Sequence, residues 1–111
     1  MNRSQKQQFS DDTLQLVASR FKVLSEPMRL RLLNILRSGE KTVSELVRES
    51  GAAQANVSKH LSVLAAAGIV ARRKEGLNAY YYIADQMIFS LCDLVCSSLR
   101  EKAVARAKMF R

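Results

Sequence analysis

The sequence is short of the residues from which catalytic and disulfide-rich structures are built. Its 111 residues include one histidine, two cysteines, four glycines and one proline, and no tryptophan. We find no Ser-His-Asp set, no phosphate-cradling glycine loop and no paired carboxylates in a pocket pattern. Two cysteines do not make a disulfide framework. We therefore expect neither an enzyme nor a disulfide-stabilised secreted domain.

Long apolar runs are also missing. No segment approaches the roughly 18 to 20 apolar residues that span a bilayer. The polar stretch 1–8 has no apolar run behind a basic start, so we do not expect a secretory signal. We expect a cytoplasmic location, where thiols stay reduced. The length and the 48% apolar content predict one folded domain over 10–111, behind a flexible N-terminus at 1–9.

Acidic residues are few relative to basic ones. Lysine and arginine total 18 against 10 for aspartate and glutamate, which gives a net charge of +8. An excess of this size in a small chain favours a polyanionic partner. A merely basic surface would give the same total, so the placement of the charges must decide.

The first half of the chain predicts three helices. The first begins at Ser10 or Asp11 and ends before the sequence Ser-Glu-Pro at 25–27, because proline suits the first position of a new helix. The second, 28–37, is rich in leucine and is expected to be buried on most of its circumference, with its arginines at 29, 31 and 37 reaching solvent. A short extended piece then leads into a third helix that ends at 50–51.

The stretch 53–83 organises the rest of the chain. It predicts a helix that ends at Gly68, followed by strands at 69–74 and 79–83 with a turn between them. A short helix, a small-residue turn at 50–53 and a longer helix form the helix-turn-helix pattern, and the hairpin adds a wing. The apolar stripe of the longer helix is predicted at Val57, Leu61, Leu64 and Ala65.

The last third, 85–108, predicts one long helix with an apolar stripe. The first helix can cover part of that stripe, and a second subunit can cover the rest. We therefore predict a mainly α fold with a small β-hairpin. It is a winged helix-turn-helix of about five helices and a two-stranded wing, dimeric through its first and last helices.

The other face of the longer helix carries Gln54, Asn56, Ser58, Lys59 and His60. Amide side chains can pair with adenine in the major groove, so the glutamine and the asparagine are the predicted base readers. The serine and the lysine are predicted to hold phosphates, which position a protein without specifying sequence. The histidine has no cysteine or second histidine at ligand spacing, so a DNA contact or a supporting hydrogen bond is expected.

The hairpin carries Arg72, Arg73 and Lys74 before its turn. Side chains alternate along a strand, so the three cannot all point at DNA. A wing arginine could enter the minor groove or bind phosphate, and solvated edge charges are the alternative. Tyrosines 80–82 are expected to be strand and core residues.

Several segments resemble the ArsR/SmtB family of winged-helix repressors. Residues 23–33 (VLSEPMRLRLL) resemble its LSDPTRLRIL segment, and 43–46 (VSEL) resemble its VGEL or VSEL segment. Residues 56–76 are similar to its TVSRHLKVLREAGLV…RREG stretch, within which Arg73 matches a family position. The resemblance implies a homodimer built from the first and last helices and a near-palindromic operator, usually overlapping the regulator's own promoter. Many members are derepressed by a metal or metalloid, and others respond to thiol oxidation or sulfur species.

The familiar sensor sites of that family do not transfer. The helix at 44–49 lacks the cysteines of the arsenic sensors, and the last helix lacks the histidines of the zinc and cobalt sensors. Cys92 and Cys96 share a helical face, with Cβ atoms roughly 5 to 6 Å apart. They could hold As(III) or another thiophilic ion, although arsenite prefers three thiolates and one chain is a ligand short. A redox switch or two small core residues are the alternatives.

Together these patterns predict a sequence-specific DNA-binding transcriptional regulator. We expect an autoregulatory repressor that is released by a soft metal, a metalloid or a thiol-reactive signal at Cys92 and Cys96. One alternative is the same DNA-binding fold without a metal sensor. Another is a module that binds a different polyanion or a protein partner.

Overall fold

Five helices and three short strands make up residues 8–109, the part of the chain that the computed structural model describes. In chain order they are α1 Asp11–Leu24, α2 Pro27–Leu36, β1 Lys41–Thr42, α3 Val43–Ser50, α4 Gln54–Ala66, β2 Val70–Glu75, β3 Asn78–Ile83 and α5 Met87–Met109. This is the predicted winged helix-turn-helix. The flexible segment predicted at 1–9 falls mainly on 1–7, which lie outside the described residues, as do residues 110–111.

The first two helices begin where local chemistry favours a helix start. The Ser10 side chain caps α1 by accepting a hydrogen bond from the Thr13 amide at 3.2 Å. Asp11 and Asp12 occupy the first turn, where negative charge stabilises the positive end of the helix dipole. α2 starts at Pro27, whose fixed φ angle is already helical. These features place the two helices within a residue of their predicted starts.

Thr42 ends β1 and caps α3. Its hydroxyl accepts a hydrogen bond from the Glu45 amide at 3.2 Å, and the Glu45 carboxylate accepts one from the Thr42 amide at 3.0 Å. This reciprocal arrangement is a capping box. The bond from the Thr42 amide lowers the pKa of Glu45. Because Thr42 also pairs with Tyr80 in β3, α3 is attached to the sheet at its first turn.

The turn between α3 and α4 is made by Gly51, whose φ of +73° lies in the left-handed region that glycine favours. Its amide donates to the Val47 carbonyl at 3.0 Å, which ends α3. Arg31 of α2 donates from Nη1 to the Ser50 carbonyl at 3.0 Å and so holds the turn against the second helix. The result is the short helix, tight turn and longer helix that the sequence predicts.

The sheet has three antiparallel strands in the order β1-β3-β2. The sequence predicted only β2 and β3. They form a tight wing, in which Glu75 lies opposite Asn78 and only Gly76 and Leu77 make the turn. Gly76 has a φ of +60°, which a two-residue hairpin turn requires. The two-residue β1 pairs with Tyr80 and Tyr81 on the far side of β3, so the wing is held along the middle of that strand.

A single hydrophobic core joins the helices to the base of the wing. The stripe predicted on α4 is correct at Val57, Leu61 and Leu64, which are fully buried. It is wrong at Ala65, which is exposed, because a residue four positions after Leu61 turns about 40° past it onto the rim of the stripe. The fully buried side chains of the core are Leu32, Leu46, Val57, Leu61, Leu64 and Ile69.

The first and last helices carry a large exposed apolar surface. Only the start of α5 packs against the core, through Ile88 with Phe89 and Leu91 beside it. None of the helices within 8–109, these two included, is long and apolar enough to cross a membrane. We call the exposed apolar surface of α1 and α5 the terminal apolar face. Its members are Leu14, Val17 and Phe21 on α1 and Val95 and Leu99 on α5.

Candidate nucleic-acid interface

The solvent side of α4 carries four of the five predicted binding residues of this helix. Gln54, Asn56, Ser58 and Lys59 are all exposed, while Val57 between them is fully buried. The helix is thus fixed by its apolar stripe and presents two amides, a hydroxyl and an ammonium group to solvent. These groups can donate to and accept from base edges and phosphates.

His60, the fifth predicted residue of this helix, lies behind that surface. Its side chain is only 7% exposed. Its Nδ1 accepts a hydrogen bond from Arg29 Nε at 3.1 Å. Of the two roles that the sequence left open, the structure contains the supporting hydrogen bond. Arg29 was expected to reach solvent, but it is half-buried. The sequence carries no signal that distinguishes its role from that of Arg31 on the same helix.

The three basic residues of the wing divide between its two faces. Arg72 and Lys74 share the face of β2 that carries Val70, which is buried against the core. Both cations are exposed, and within residues 8–109 neither makes a side-chain hydrogen bond or an ion pair. They therefore extend from the wing on the face that carries the buried Val70, and no described side chain neutralises their charges.

Arg73 points to the opposite face, where its charge is already engaged. Its Nε donates to Glu40 at 2.8 Å, its Nη1 donates to Glu75 at 2.8 Å, and its guanidinium lies 4.7 Å from the centre of the Tyr80 ring. The hydrogen bonds from Arg73 lower the pKa of Glu40 and raise the pKa of Arg73 itself. Since Glu40 precedes β1, one guanidinium spans all three strands.

Comparison with known proteins matches this arrangement to one family. A family model described as bacterial regulatory protein, arsR family, matches residues 26–72. Over 85 residues the chain is 35% identical to a probable mercury resistance operon repressor of Streptomyces lividans, covering 77% of this chain and 68% of that protein. The chain belongs to the arsR family of bacterial regulatory proteins. It is accordingly a DNA-binding transcriptional regulator rather than an enzyme.

Two solved structures of similar proteins share the fold. The crystal structure of Rv0081 from Mycobacterium tuberculosis superposes with a TM-score of 0.79 at 33% identity, covering 88% of this chain and 99% of that one. The solution structure of a homodimeric DNA-binding domain, Mb0332 from Mycobacterium bovis, gives 0.72 at 32% identity, covering 85% and 90%. That domain is described as a possible ArsR-family regulator with a winged helix-turn-helix.

The two cysteines of this arsR-family chain line one apolar groove between α1, α2 and α5. The groove has a volume of about 380 Å³. Cys92 is half-buried and Cys96 is exposed, so neither is a fully buried core residue in the protomer. Their neighbours in the groove are Phe21, Leu24, Leu30, Leu91, Val95 and Leu99.

Charged side chains lie beside both thiols. Burial and the adjacent Asp93 raise the pKa of Cys92, while Arg37 opposes them. Arg37 is bound to Asp93 through two bonds of 2.8 and 3.2 Å, which attach α5 to α2 beside the groove. Arg100 donates to the Cys96 sulfur at 3.5 Å. One thiol is thus shifted toward its neutral form, and the other has a cation beside it.

The donor set of one protomer suits few metal ions. Within residues 8–109 no group of three or more histidine, cysteine, aspartate or glutamate side chains is arranged to hold a metal. The thiol pair therefore supplies two soft ligands at most, which fits a thiophilic ion of low coordination number. A three-thiolate ion such as As(III) needs a ligand from elsewhere.

Proposed function

We propose that the protein is an autoregulatory repressor that binds a near-palindromic duplex operator as a homodimer. The observation that carries this proposal is a pair of exposed polar surfaces, one on α4 and one on the wing, that are joined through the same hydrophobic core. The exposed side of α4 offers the base-reading groups, and the wing offers Arg72 and Lys74 on the face of β2 whose Val70 packs in that core. Family membership supports the same assignment.

Dimerisation is supported by the terminal apolar face. Leu99 is 63% exposed and Phe21 is 51% exposed, which is unfavourable for leucine and phenylalanine side chains on helices that end a small domain. The related Mycobacterium bovis domain is described as homodimeric. A two-fold dimer would present its recognition helices to successive major grooves, about 34 to 36 Å apart along the duplex.

The exposed residues of α4 then divide between bases and backbone. Gln54 and Asn56 each present an amide that can form a bidentate pair with adenine. Ser58 and Lys59 bind phosphate and set the position of the helix on the duplex. His60 supports α4 from behind through its bond with Arg29, so its place in the DNA-binding set is indirect.

Two matched substitutions on α4 test these roles. The operator is first selected by the wild-type protein from randomised duplexes, and its mismatch variants are then titrated in the presence of competitor DNA. Gln54→Ala is expected to lose about 1 to 3 kcal/mol of discrimination at one base pair. Lys59→Ala is expected to weaken all duplexes equally. A uniform loss in the glutamine variant would remove it as a base reader.

A rival function is binding of another polyanion or of a protein through the same fold. It predicts that competitor duplex abolishes binding by the wild-type protein, because no particular base sequence would then be preferred. Selection from randomised duplexes that yields no enriched sequence would favour this rival. Enrichment of a near-palindrome would eliminate it.

We further propose that the groove holding Cys92 and Cys96 receives the inducing signal, in the cytoplasm where thiols stay reduced. The support is the pair of accessible sulfurs beside the terminal apolar face, together with a relative named for mercury resistance. A thiophilic ion is a soft acid, and the two sulfurs are the soft ligands of this chain that would hold it. An effector acts only if it binds the DNA-free and DNA-bound forms with different affinity.

The effector is tested by titrating operator complexes with arsenite, cadmium, zinc and mercuric ions under reducing conditions, and with peroxide without reductant. The double variant Cys92→Ser with Cys96→Ser should bind operator like the wild type and no longer release it. Thiolate-to-metal charge-transfer absorbance gives an independent measure of binding at the two sulfurs. Release that persists in the double variant assigns the signal to another site.

A further inference from the structure

Two guanidinium groups connect α1 to the recognition helix α4. Arg20 of α1 donates from Nη2 to the Ala67 carbonyl, at the end of α4, at 3.1 Å. Arg29 of α2 donates to His60 in the middle of α4 and, through Nη1, to the Val23 carbonyl of α1, both at 3.1 Å. The two attachment points on α4 lie about 10 Å apart along its axis. Beyond the packing of its apolar stripe, two separated points constrain the direction of a helix more closely than one does.

Arg20 also reaches the start of the terminal helix. Its Nη1 lies 3.8 Å from the Asp85 carboxylate, and that carboxylate accepts a hydrogen bond from the Met87 amide at 3.1 Å, at the first residue of α5. The same Nη1 is buried, and within the described chain it makes no hydrogen bond. A buried donor with only a long ion pair is incompletely satisfied. The site at which α1, α4 and α5 meet is therefore sensitive to small shifts of α5.

We infer that Arg20 and Arg29 are positioning residues that set the orientation of α4 relative to the helices carrying the terminal apolar face. In a dimer they thereby set the separation of the two recognition helices, so the inference rests on the proposed function. Arg20 belongs to α1 and Arg29 to α2, so neither is part of the exposed face of α4 that is proposed to meet DNA. Guanidinium suits this role because it is planar, stays charged and bonds two acceptors in a fixed geometry.

The inference predicts a loss of spacing selectivity. Wild-type protein is titrated with its selected operator and with versions one base pair shorter and longer, which displace a half-site by about 3.4 Å. Arg20→Met and Arg29→Met should each bind the selected operator about tenfold more weakly, the size expected for one charged hydrogen bond. They should also lose most of the preference among the three spacings, since α4 is then free to adjust.

The controls separate positioning from folding. Lys22→Met removes a cation from the exposed side of α1, outside both links, and should keep wild-type affinity and spacing preference. Thermal unfolding and sedimentation verify that each variant folds and dimerises. Where a methionine variant does not fold, Arg20→Lys or Arg29→Lys replaces it, because lysine keeps the charge but cannot reproduce the two-acceptor geometry. The same loss of spacing preference is expected.

Two results would overturn the inference. One is that variants that fold and dimerise bind all three duplexes more weakly by the same factor. The arginines would then stabilise the fold without setting the spacing of the recognition helices. The other is unchanged binding. A wild-type protein that shows no spacing preference would instead refute the proposed dimeric operator, before any variant is compared.

Discussion

Arg72 and Arg73 are adjacent in the chain but have opposite electrostatic surroundings. Arg73 lies over Tyr80 and is bound by two carboxylates, whereas Arg72 extends from the wing without a partner in the described chain. A cation that already neutralises carboxylates releases few counterions when it meets DNA. We therefore expect Arg72 to contribute more to DNA binding than Arg73, although Arg73 is the residue that matches a family position.

We therefore predict different salt dependences for two neighbouring substitutions. Arg72→Ala should reduce the slope of log K against log salt by about one unit, because one phosphate contact is lost. Arg73→Ala should change that slope less, while loosening the wing. Titration of the operator at several salt concentrations measures both slopes. A full unit lost in the Arg73 variant alone would return that residue to the DNA surface.

The wing also has a predictable response to acid. The pKa of Glu40 is lowered from its ordinary 4.5 by its hydrogen bonds with Arg73. The link is therefore intact above that ordinary value and is lost as the pH falls through the lowered value. The protection factors of the β2 and β3 amides, which compare their exchange with the intrinsic rate at each pH, should fall over that acid range in the wild type. In Glu40→Gln, which carries no titrating carboxylate at this position, the loss of protection tied to this link should disappear.

Residue patterns could predict part of this arrangement and not the rest. Alternation along β2 predicts that Arg73 faces away from Arg72 and Lys74. The same alternation places Glu75 on the face of Arg73. It does not reveal Glu40, which is distant in sequence and approaches only when β1 joins the sheet. The buried bond between Arg29 and His60 is hidden for the same reason. Its partners belong to different helices.

At the scale of elements, Thr42 belongs to two elements at once. It is the last residue of β1 and the N-terminal cap of α3. A Thr-x-x-Glu spacing is the sequence signature of such a cap. The sequence predicts a short extended piece before α3 but not its pairing with β3, since two residues carry no periodicity. The longer elements, whose apolar patterns repeat over several turns, are all found close to their predicted ranges.

Removal of this cap should destabilise α3 and, through it, the recognition helix. Thr42→Ala is expected to cost about 1 kcal/mol of unfolding free energy, because the Glu45 amide loses its acceptor. Thr42→Ser keeps a hydroxyl and should lose much less. Urea denaturation monitored by circular dichroism gives both values. Equal losses in the two variants would point to packing of the threonine methyl group rather than to the cap.

At the scale of the whole molecule, the protomer is extended. Its radius of gyration is 17.6 Å, against about 13 Å for a compact domain of 100 residues. The difference reflects α5, whose outer turns project beyond the core. The protomer measures 56 × 43 × 21 Å along its principal axes, so it is thin in one direction. Such a shape leaves the terminal apolar face accessible for a second copy to bury.

A charge on that face should separate the subunits. Leu99→Glu places a carboxylate on each side of the two-fold interface, so each substitution acts twice in the dimer. We expect a monomer at micromolar concentration in sedimentation experiments, with operator binding largely lost. Ser97→Glu, on the other side of α5, should remain dimeric. A wild-type monomer, or a dimeric Leu99 variant, would show that the terminal apolar face has another purpose.

The terminal apolar face also makes the stability of the folded protein depend on its concentration. If each protomer completes its burial only against another, association belongs to the folding equilibrium, and the unfolding midpoint rises with concentration. Each tenfold dilution then removes about 1.4 kcal/mol of stability per dimer. A repressor that limits its own synthesis would thus hold its concentration, and with it the folded fraction of its molecules, within a narrow range.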